Sequence, residues 1–141
     1  MDFVIDTNCL INFHGYSSEV FPSLWENFHS MINSGEIVSL EEVRGELGNS
    51  HGNLITYWND IDSNLKSNGM KFFYELVDDD LDYLSSIEQF EEFIKAGKDK
   101  PVYADPFLVA FAINRDCILL TDERRPNSPK SIPFVCNKLN I

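Results

Sequence analysis

The length, composition and charge of the chain restrict what kind of protein it can be. Its 141 residues are enough for one ordinary domain with a substantial core, and 43% of them are hydrophobic. No apolar run approaches the roughly 20 residues that a bilayer-spanning helix needs, so we expect a soluble protein. The formal net charge of -12 argues against sequence-independent binding of nucleic acid by lysine and arginine alone.

The distribution of charges and cysteines adds further expectations. Eight acids and no bases lie between residues 75 and 92, whereas eight of the eleven bases follow residue 94, which predicts a basic rim on an acidic body. Cys9, Cys117 and Cys136 form no CxxC pair and are odd in number, so we expect reduced thiols. No secretory signal precedes the first strand pattern, which together with the thiols favours a cytoplasmic protein.

Strand and helix patterns alternate along the chain. Strands are predicted at residues 2–6, 36–38 and 118–120, with a late edge strand at 132–135. Helices are predicted as a short turn at 9–11 and at 19–33, 39–48, 54–65 and 79–94, with a further helix that begins at Asp105. Residues 70–77 fit either a strand or a loop. The alternation predicts a single three-layer α/β/α domain over residues 1–141, with a central, mainly parallel sheet.

Local signals mark several helix ends. Ser39, with Glu42 three residues later, has the spacing of a capping box at the start of the helix at 39–48. Gly48 is the expected end of that helix. Pro106 after Asp105 is typical of a helix N-terminus, because proline suits the first helical position.

Carboxylates lie where parallel strands are predicted to end. Open parallel sheets bind ligands in the crevice outside those ends, so acids there face a substrate from a rigid base. Asp6 follows the first strand, and Asp122 follows the strand at 118–120. Glu46 lies beside the apolar stripe of its helix, and Asp105 opens a segment so apolar that it must be buried. The candidate catalytic and metal-binding residues are therefore Asp6, Glu46, Asp105 and Asp122, supported by Asn8, Thr121 and Glu123.

Each candidate also has an ordinary structural explanation. Asp6 could cap the turn after its strand, and Asp105 could cap its helix ahead of Pro106. Glu46 could be a solvated helix residue, and Asp122 could belong to an exposed turn. The functional hypothesis therefore rests on the convergence of these acids on one site.

Several carboxylates directed at one site repel each other and raise one another's pKa unless a cation resolves the conflict. Oxygen ligands of this kind select Mg²⁺ or Mn²⁺, and Mg²⁺ keeps waters and bridges to substrate phosphates. Such an ion can activate a water and neutralise a phosphate, which is the chemistry of phosphodiester hydrolysis. A bound metal would also let an acidic protein hold a polyanion locally.

Taken together, these motifs resemble the PIN domain, the nuclease fold of VapC-type toxins in bacterial toxin–antitoxin pairs. The segments that carry the resemblance are residues 4–8, 43–47, 105–112 and 120–123, in that order and spread over most of the chain. The resemblance implies a metal-dependent endoribonuclease that acts on RNA, with a cognate antitoxin as its protein partner and a homodimer as its assembly. It also implies that Asp6, Glu46 and Asp105 bind the metal, while Asn8 and Thr121 orient ligands or water.

The fourth motif departs from the usual PIN pattern. PIN proteins often have Thr-x-Asp or Thr-x-Asn there, which would put Glu123 rather than Asp122 in the ligand position. Both stay candidates, and we place Asp122 first because it is nearer the strand end. Arg124 and Arg125 follow closely enough to contact a substrate phosphate, although a solvated turn explains them equally well.

Three functional hypotheses from different classes follow. The first is a ribonuclease toxin whose metal-dependent RNA cleavage is relieved by an antitoxin. The second is a binding module that kept the fold, lost catalysis and is indifferent to Asp6→Asn. The third is another Mg²⁺-dependent phosphohydrolase, such as a haloacid dehalogenase-like phosphatase. That family has a second aspartate two residues after the first, whereas this chain has Asn8 there.

Overall fold

A computed structural model describes residues 1–141 and contains one four-stranded, all-parallel sheet flanked by helices. The strands are β1 (Phe3–Ile5), β2 (Ile37–Leu40), β3 (Phe73–Tyr74) and β4 (Ile118–Leu120), in the order β3-β2-β1-β4. The helices are α1 (Thr7–Phe13), α2 (Pro22–Asn33), α3 (Glu41–Ser50), α4 (Gly52–Lys66), α5 (Asp78–Leu81), α6 (Leu84–Ile87), α7 (Glu91–Lys95), α8 (Asp105–Arg115) and α9 (Ile132–Leu139). The predicted α/β fold with a parallel sheet is confirmed.

Strand β1 lies in the middle of the sheet and aligns the ends of its neighbours. Val4 pairs with Val38 of β2 on one side and with Leu119 of β4 on the other. Because these strands are parallel, their carboxyl ends lie at one edge of the sheet. The amide of Asp6 donates to the carbonyl of Leu120 at 3.0 Å, so Asp6 lies beside the end of β4.

Two hydrophobic clusters form the core, and α8 belongs to both. The larger cluster has 17 buried residues, mostly from the sheet and the helices beside it, and includes Leu108 and Phe111 of α8. The smaller cluster has six buried residues and includes Val109 and Ala110 of α8. Helix α8 is therefore buried on opposite faces, as its apolar sequence predicts, and this packing fixes the position of its first turn.

The predicted late edge strand is wrong, because these residues form the start of α9. The hydroxyl of Ser131 accepts a hydrogen bond from the amide of Phe134, which caps the helix, and Pro133 lies in the first turn, where proline is tolerated. Ile132 and Val135 are three residues apart and both enter the smaller core cluster, which is helical spacing. The pattern was too short to separate a strand from a helix, and β4 is left as the edge of the sheet.

The single acidic helix predicted at 79–94 is also wrong, because three short helices, α5, α6 and α7, take its place. Two side chains in this segment donate to nearby carbonyls, Ser85 to Asp82 at 3.0 Å and Gln89 to Ser86 at 2.6 Å. Local bonds of this kind compete with a continuous helix. The breaks let Ile87 reach the smaller core cluster, which a sequence pattern cannot anticipate.

Helix α3 begins and ends differently from the prediction. Leu40 is its N-cap, and no side chain caps the helix, so the predicted capping box is absent. Ser39 instead belongs to β2, and its hydroxyl donates to the carbonyl of Ile5 at 2.9 Å. The helix continues past Gly48 to Ser50. The polar Ser39 is buried at the strand's end because β1 supplies the hydrogen-bond acceptor that it needs.

The structure also bears on the expectations from composition. All three cysteines are free and half-buried. Burial raises the pKa of Cys117 and of Cys136 to about 11, so both remain protonated thiols at neutral pH. No helix combines the length and the apolar sequence needed to cross a membrane.

Candidate active site

An acidic pocket of about 350 Å³ opens beyond the carboxyl ends of β1 and β4. Its wall is formed by residues from α1, α3, the segment before α8 and the end of β4: Asp6, Thr7, Asn8, Ile11, Glu46, Asn49, Ser50, His51, Lys100, Pro101, Val102, Asp105 and Glu123. Four of these residues are acids, and Lys100 is the one lysine or arginine among them. We refer to this site as the acidic pocket.

Asp6 is buried, with 2% of its surface exposed, and hydrogen bonds fix both of its oxygens. Its Oδ1 accepts from the amide of Cys9 at 2.7 Å, which caps α1, and its Oδ2 accepts from the hydroxyl of Thr121 at 2.7 Å. Burial raises the pKa of Asp6, the hydrogen bonds oppose that rise, and the negative charge of Glu46 adds to it. Asp6 therefore caps a helix and also faces the pocket.

Glu46 connects three segments of the site. Its side chain extends from α3. Its Oε1 accepts a hydrogen bond at 2.9 Å from the amide of Ala104, the residue directly before α8. Its Oε2 accepts a hydrogen bond from the hydroxyl of Thr7 in the first turn of α1. Glu46 is therefore held in the pocket by α1 and by the start of α8 rather than left in solvent.

Asp105 has the most perturbed carboxyl group of the pocket. It is the first residue of α8, whose N-cap is Ala104 and lacks a side-chain cap, so the alternative explanation of Asp105 as a helix cap does not hold. Burial raises the pKa of Asp105 to about 7, and the negative charges of Glu46 and Glu123 reinforce the shift while Lys100 opposes it. The carboxylates of the pocket are therefore close enough to repel one another, which is the condition that a cation would relieve.

The structure brings Glu123 into the acidic pocket and leaves Asp122 outside it. Burial raises the pKa of Glu123, and its Oε2 accepts from the amide of Ile132 at 2.7 Å. Asp122 instead accepts a hydrogen bond from the side chain of Asn12 and lies 3.5 Å from the guanidinium of Arg124. The two residues thus point to different surroundings at the end of β4.

The supporting residues divide in the same way. Asn8 lines the acidic pocket. Thr121 does not line it, but its hydroxyl donates a hydrogen bond to Asp6, which does. Arg124 and Arg125 lie outside the acidic pocket and line a neighbouring one, which shares Glu123 with it. The structure therefore gathers most of the candidate residues around one edge of the sheet.

Sequence reasoning missed several residues of the pocket wall. Thr7 stands between two residues of the first motif, and that position was the signal that could have identified it. Lys100 and His51 lie in connections ahead of α8 and α4, where no spacing marked them. Only the fold brings these two residues to the acids.

The donor atoms of the pocket suit a hard divalent cation, because the acidic side chains offer only oxygen. In this structure the acids are not arranged around a metal position, because no group of three or more His, Cys, Asp or Glu side chains could hold a metal ion. Asp6, Glu46 and Glu123 are instead engaged in hydrogen bonds to Thr121, Thr7 and a backbone amide. The donor chemistry fits a cation, and the acidic side chains would have to rearrange to enclose one.

The fold and the site together define an α/β protein with a carboxylate-lined pocket at the carboxyl edge of a parallel sheet. The chain belongs to the family described as Domain of unknown function (DUF4411), whose model matches residues 3–141. All four acids of the pocket lie inside the matched region. No curated protein and no solved structure shows significant similarity to the chain.

Proposed function

We propose that this chain is a metal-dependent endoribonuclease, similar to PIN-domain nucleases, that hydrolyses RNA phosphodiester bonds. The observation that carries the proposal is the meeting of Asp6, Glu46, Asp105 and Glu123 in one pocket, where the pKa of Asp105 rises to about 7. Clustered acids with raised pKa values in a concave site are typical of catalytic centres. The resemblance to VapC-type proteins supports the further proposal that the chain is the toxin of a type II toxin–antitoxin pair in the cytoplasm.

The cation that suits this pocket is Mg²⁺ or Mn²⁺, held by Asp6, Glu46, Asp105 and Glu123. When bound, it supplies an activated water and neutralises charge on the phosphate. Glu123 takes the fourth position in this proposal, rather than Asp122, because it lines the pocket.

The other residues of the pocket prepare those acids for their task. Thr121 and the amide of Cys9 orient Asp6, and Thr7 orients Glu46. Asn8 offers an amide to a water or a phosphate oxygen from the pocket wall. Rigid support of this kind keeps reacting groups in position, which is a large part of enzymatic rate acceleration.

The test is the cleavage of a mixed RNA pool by the purified protein with Mg²⁺, Mn²⁺ or EDTA, beside an Asp6→Asn and Asp105→Asn double variant. We expect the metal-supported activity to fall at least about 100-fold in the variant. Asp60→Asn, which changes an exposed acid of α4, is the matched control. Metal-independent cutting, or equal cutting by a folded double variant, would reject the proposal.

A second candidate function, a protein-binding module without catalysis, is favoured by one observation. Four large apolar side chains are exposed around the start of α2: Tyr16, Val20, Phe21 and Leu24. Val20 has 68% of its surface exposed, and a group of this kind is common where a protein partner binds. A module of this class would retain all of its biological effect in Asp6→Asn, whereas a nuclease would lose it.

A further inference from the structure

A second, basic pocket of about 300 Å³ adjoins the acidic pocket and has no hydrophobic residue in its wall. Its lining consists of Glu123, Arg124, Arg125, Ser128, Lys130 and Ser131. Glu123 belongs to both walls, so the two pockets meet at that side chain. We refer to this second site as the basic pocket.

The basic pocket is built by an ordered connection between β4 and α9. The amide of Ser128 donates to the carbonyl of Arg125 at 3.0 Å, and the amide of Ser131 donates to the carbonyl of Ser128 at 3.0 Å. The Ser131 hydroxyl also donates to the Arg125 carbonyl at 2.7 Å. These bonds fold the connection back on itself, so that Arg125 and Lys130 line the same pocket.

The charge of this pocket is opposite to that of the protein as a whole. The chain has 23 acids and 11 bases, yet three of those bases line this one site. Arg125 and Lys130 take part in none of the five salt bridges, and Arg124 makes only the 3.5 Å contact to Asp122. Unpaired cations around a polar hollow are suited to a phosphate, which guanidinium groups bind through paired hydrogen bonds.

We propose that the basic pocket binds a backbone phosphate of single-stranded RNA, next to the bond that is cleaved in the acidic pocket. This inference rests on the proposed function and adds to it the place where the RNA backbone continues beyond the acidic pocket. A polyanion that approaches four carboxylates needs compensating charge nearby, and this pocket supplies it across the shared Glu123.

The test measures binding of a fluorescein-labelled, mixed-sequence RNA of about ten nucleotides by fluorescence anisotropy in EDTA. At about 0.1 M salt we expect Arg125→Gln and Lys130→Gln each to weaken binding about fivefold. Each should also lower the slope of log K against log salt by about 0.7, the value for one lost contact to a single strand. Lys71→Gln is the matched control, because Lys71 lies against Tyr74 in β3 at the opposite edge of the sheet.

Cleavage in Mg²⁺ or Mn²⁺ by the same proteins separates this inference from the proposed function. If the folded variants keep the wild-type affinity, salt slope and KM, the proposal that the basic pocket binds RNA is rejected, and the nuclease proposal is unaffected. A wild-type protein that binds RNA through these residues and never cuts it keeps the basic pocket and rejects the nuclease. A wild-type protein that does not bind the RNA overturns the inference.

Discussion

Buried carboxylates occur in two different surroundings in this protein: in the acidic pocket, and at Asp62 and Asp80 elsewhere in the chain. Asp62 and Asp80 are also buried, but each has a cation beside it: Lys66 lies 2.6 Å from Asp62, and Arg115 lies 3.2 Å from Asp80. Burial alone would raise the pKa of both, yet hydrogen bonds and these cations outweigh it and lower the pKa. In the acidic pocket Lys100 is the only lysine or arginine, and burial raises the pKa of Asp6, Asp105 and Glu123.

The direction of the pKa shift separates the structural acids Asp62 and Asp80, whose pKa is lowered, from the pocket acids Asp6, Asp105 and Glu123, whose pKa is raised. Asp62 accepts from the amide of Phe72 at 2.8 Å and so holds the start of β3. Asp80 accepts from the side chain of Asn114 at 2.7 Å and fastens α5 to α8. Those carboxylates stabilise the fold as anions, whereas we propose that the acids of the pocket bind a cation that the protein itself does not provide.

The largest expected effect is stabilisation of the wild-type protein by a divalent cation. At a Mn²⁺ concentration about 100 times the dissociation constant, binding to the folded state adds about 2.7 kcal/mol to the free energy of unfolding. We expect Asp105→Asn to lose most of this gain and Asp80→Asn to keep it. Thermal or urea unfolding with Mn²⁺ and with EDTA measures the difference.

In EDTA, a comparison of the wild type with Asp105→Asn tests the raised pKa of Asp105. Its pKa is about 7 when folded and near 3.8 ordinarily, so the folded state holds a proton that the unfolded state releases between those values. The wild type should therefore lose stability relative to Asp105→Asn as the pH rises from 4 to 7. Equal pH profiles, together with equal response to Mn²⁺, would contradict a cation site at this carboxylate.

The next effect concerns Asp80, whose carboxylate stabilises the fold as an anion. We expect Asp80→Asn to lower the free energy of unfolding by about 2 kcal/mol at neutral pH, because the fully buried side chain of Asp80 loses its charged hydrogen bonds to Arg115. The pKa of Asp80 lies below its ordinary value, so this contribution is present above about pH 4 and is lost as the pH falls through the lowered pKa. Urea unfolding at several pH values measures it.

The control for Asp80 is Glu91→Gln, which breaks the exposed pair between Glu91 and Lys95. Exposed pairs contribute little, so its stability should stay close to that of the wild type. If Asp80→Asn were as stable as this control at neutral pH, the assignment of Asp80 as a structural anion would be wrong.

The smallest expected effect distinguishes the two neighbouring acids after β4. Glu123→Gln should lower the rate of RNA cleavage about tenfold, because Glu123 lines the acidic pocket. Asp122→Asn should stay within about twofold of the wild type, because Asp122 contacts Asn12 and Arg124 outside that pocket. The reverse order of these rates would return Asp122 to the site and exclude Glu123.

Much of the site could be predicted from short patterns. An apolar strand that ends in Asp6, and an acid ahead of Pro106 on a fully apolar helix, mark positions whose surroundings are nearly decided by local sequence. The choice between Asp122 and Glu123 could not be predicted. The two residues are adjacent, and their side chains have different distant partners: Glu123 accepts from the amide of Ile132 at the start of α9, and Asp122 accepts from Asn12 of α1.

The sequence by itself determined the alternation of strands and helices, the parallel sheet and the placement of acids at strand ends, because periodicity and strand direction follow from local chemistry. The tertiary structure alone decided that Ile87 and Val135 share one core cluster and that Lys100 lies beside the acids. Those outcomes depend on which buried surfaces and hydrogen-bond partners meet across the fold, and distant partners leave no trace in local spacing.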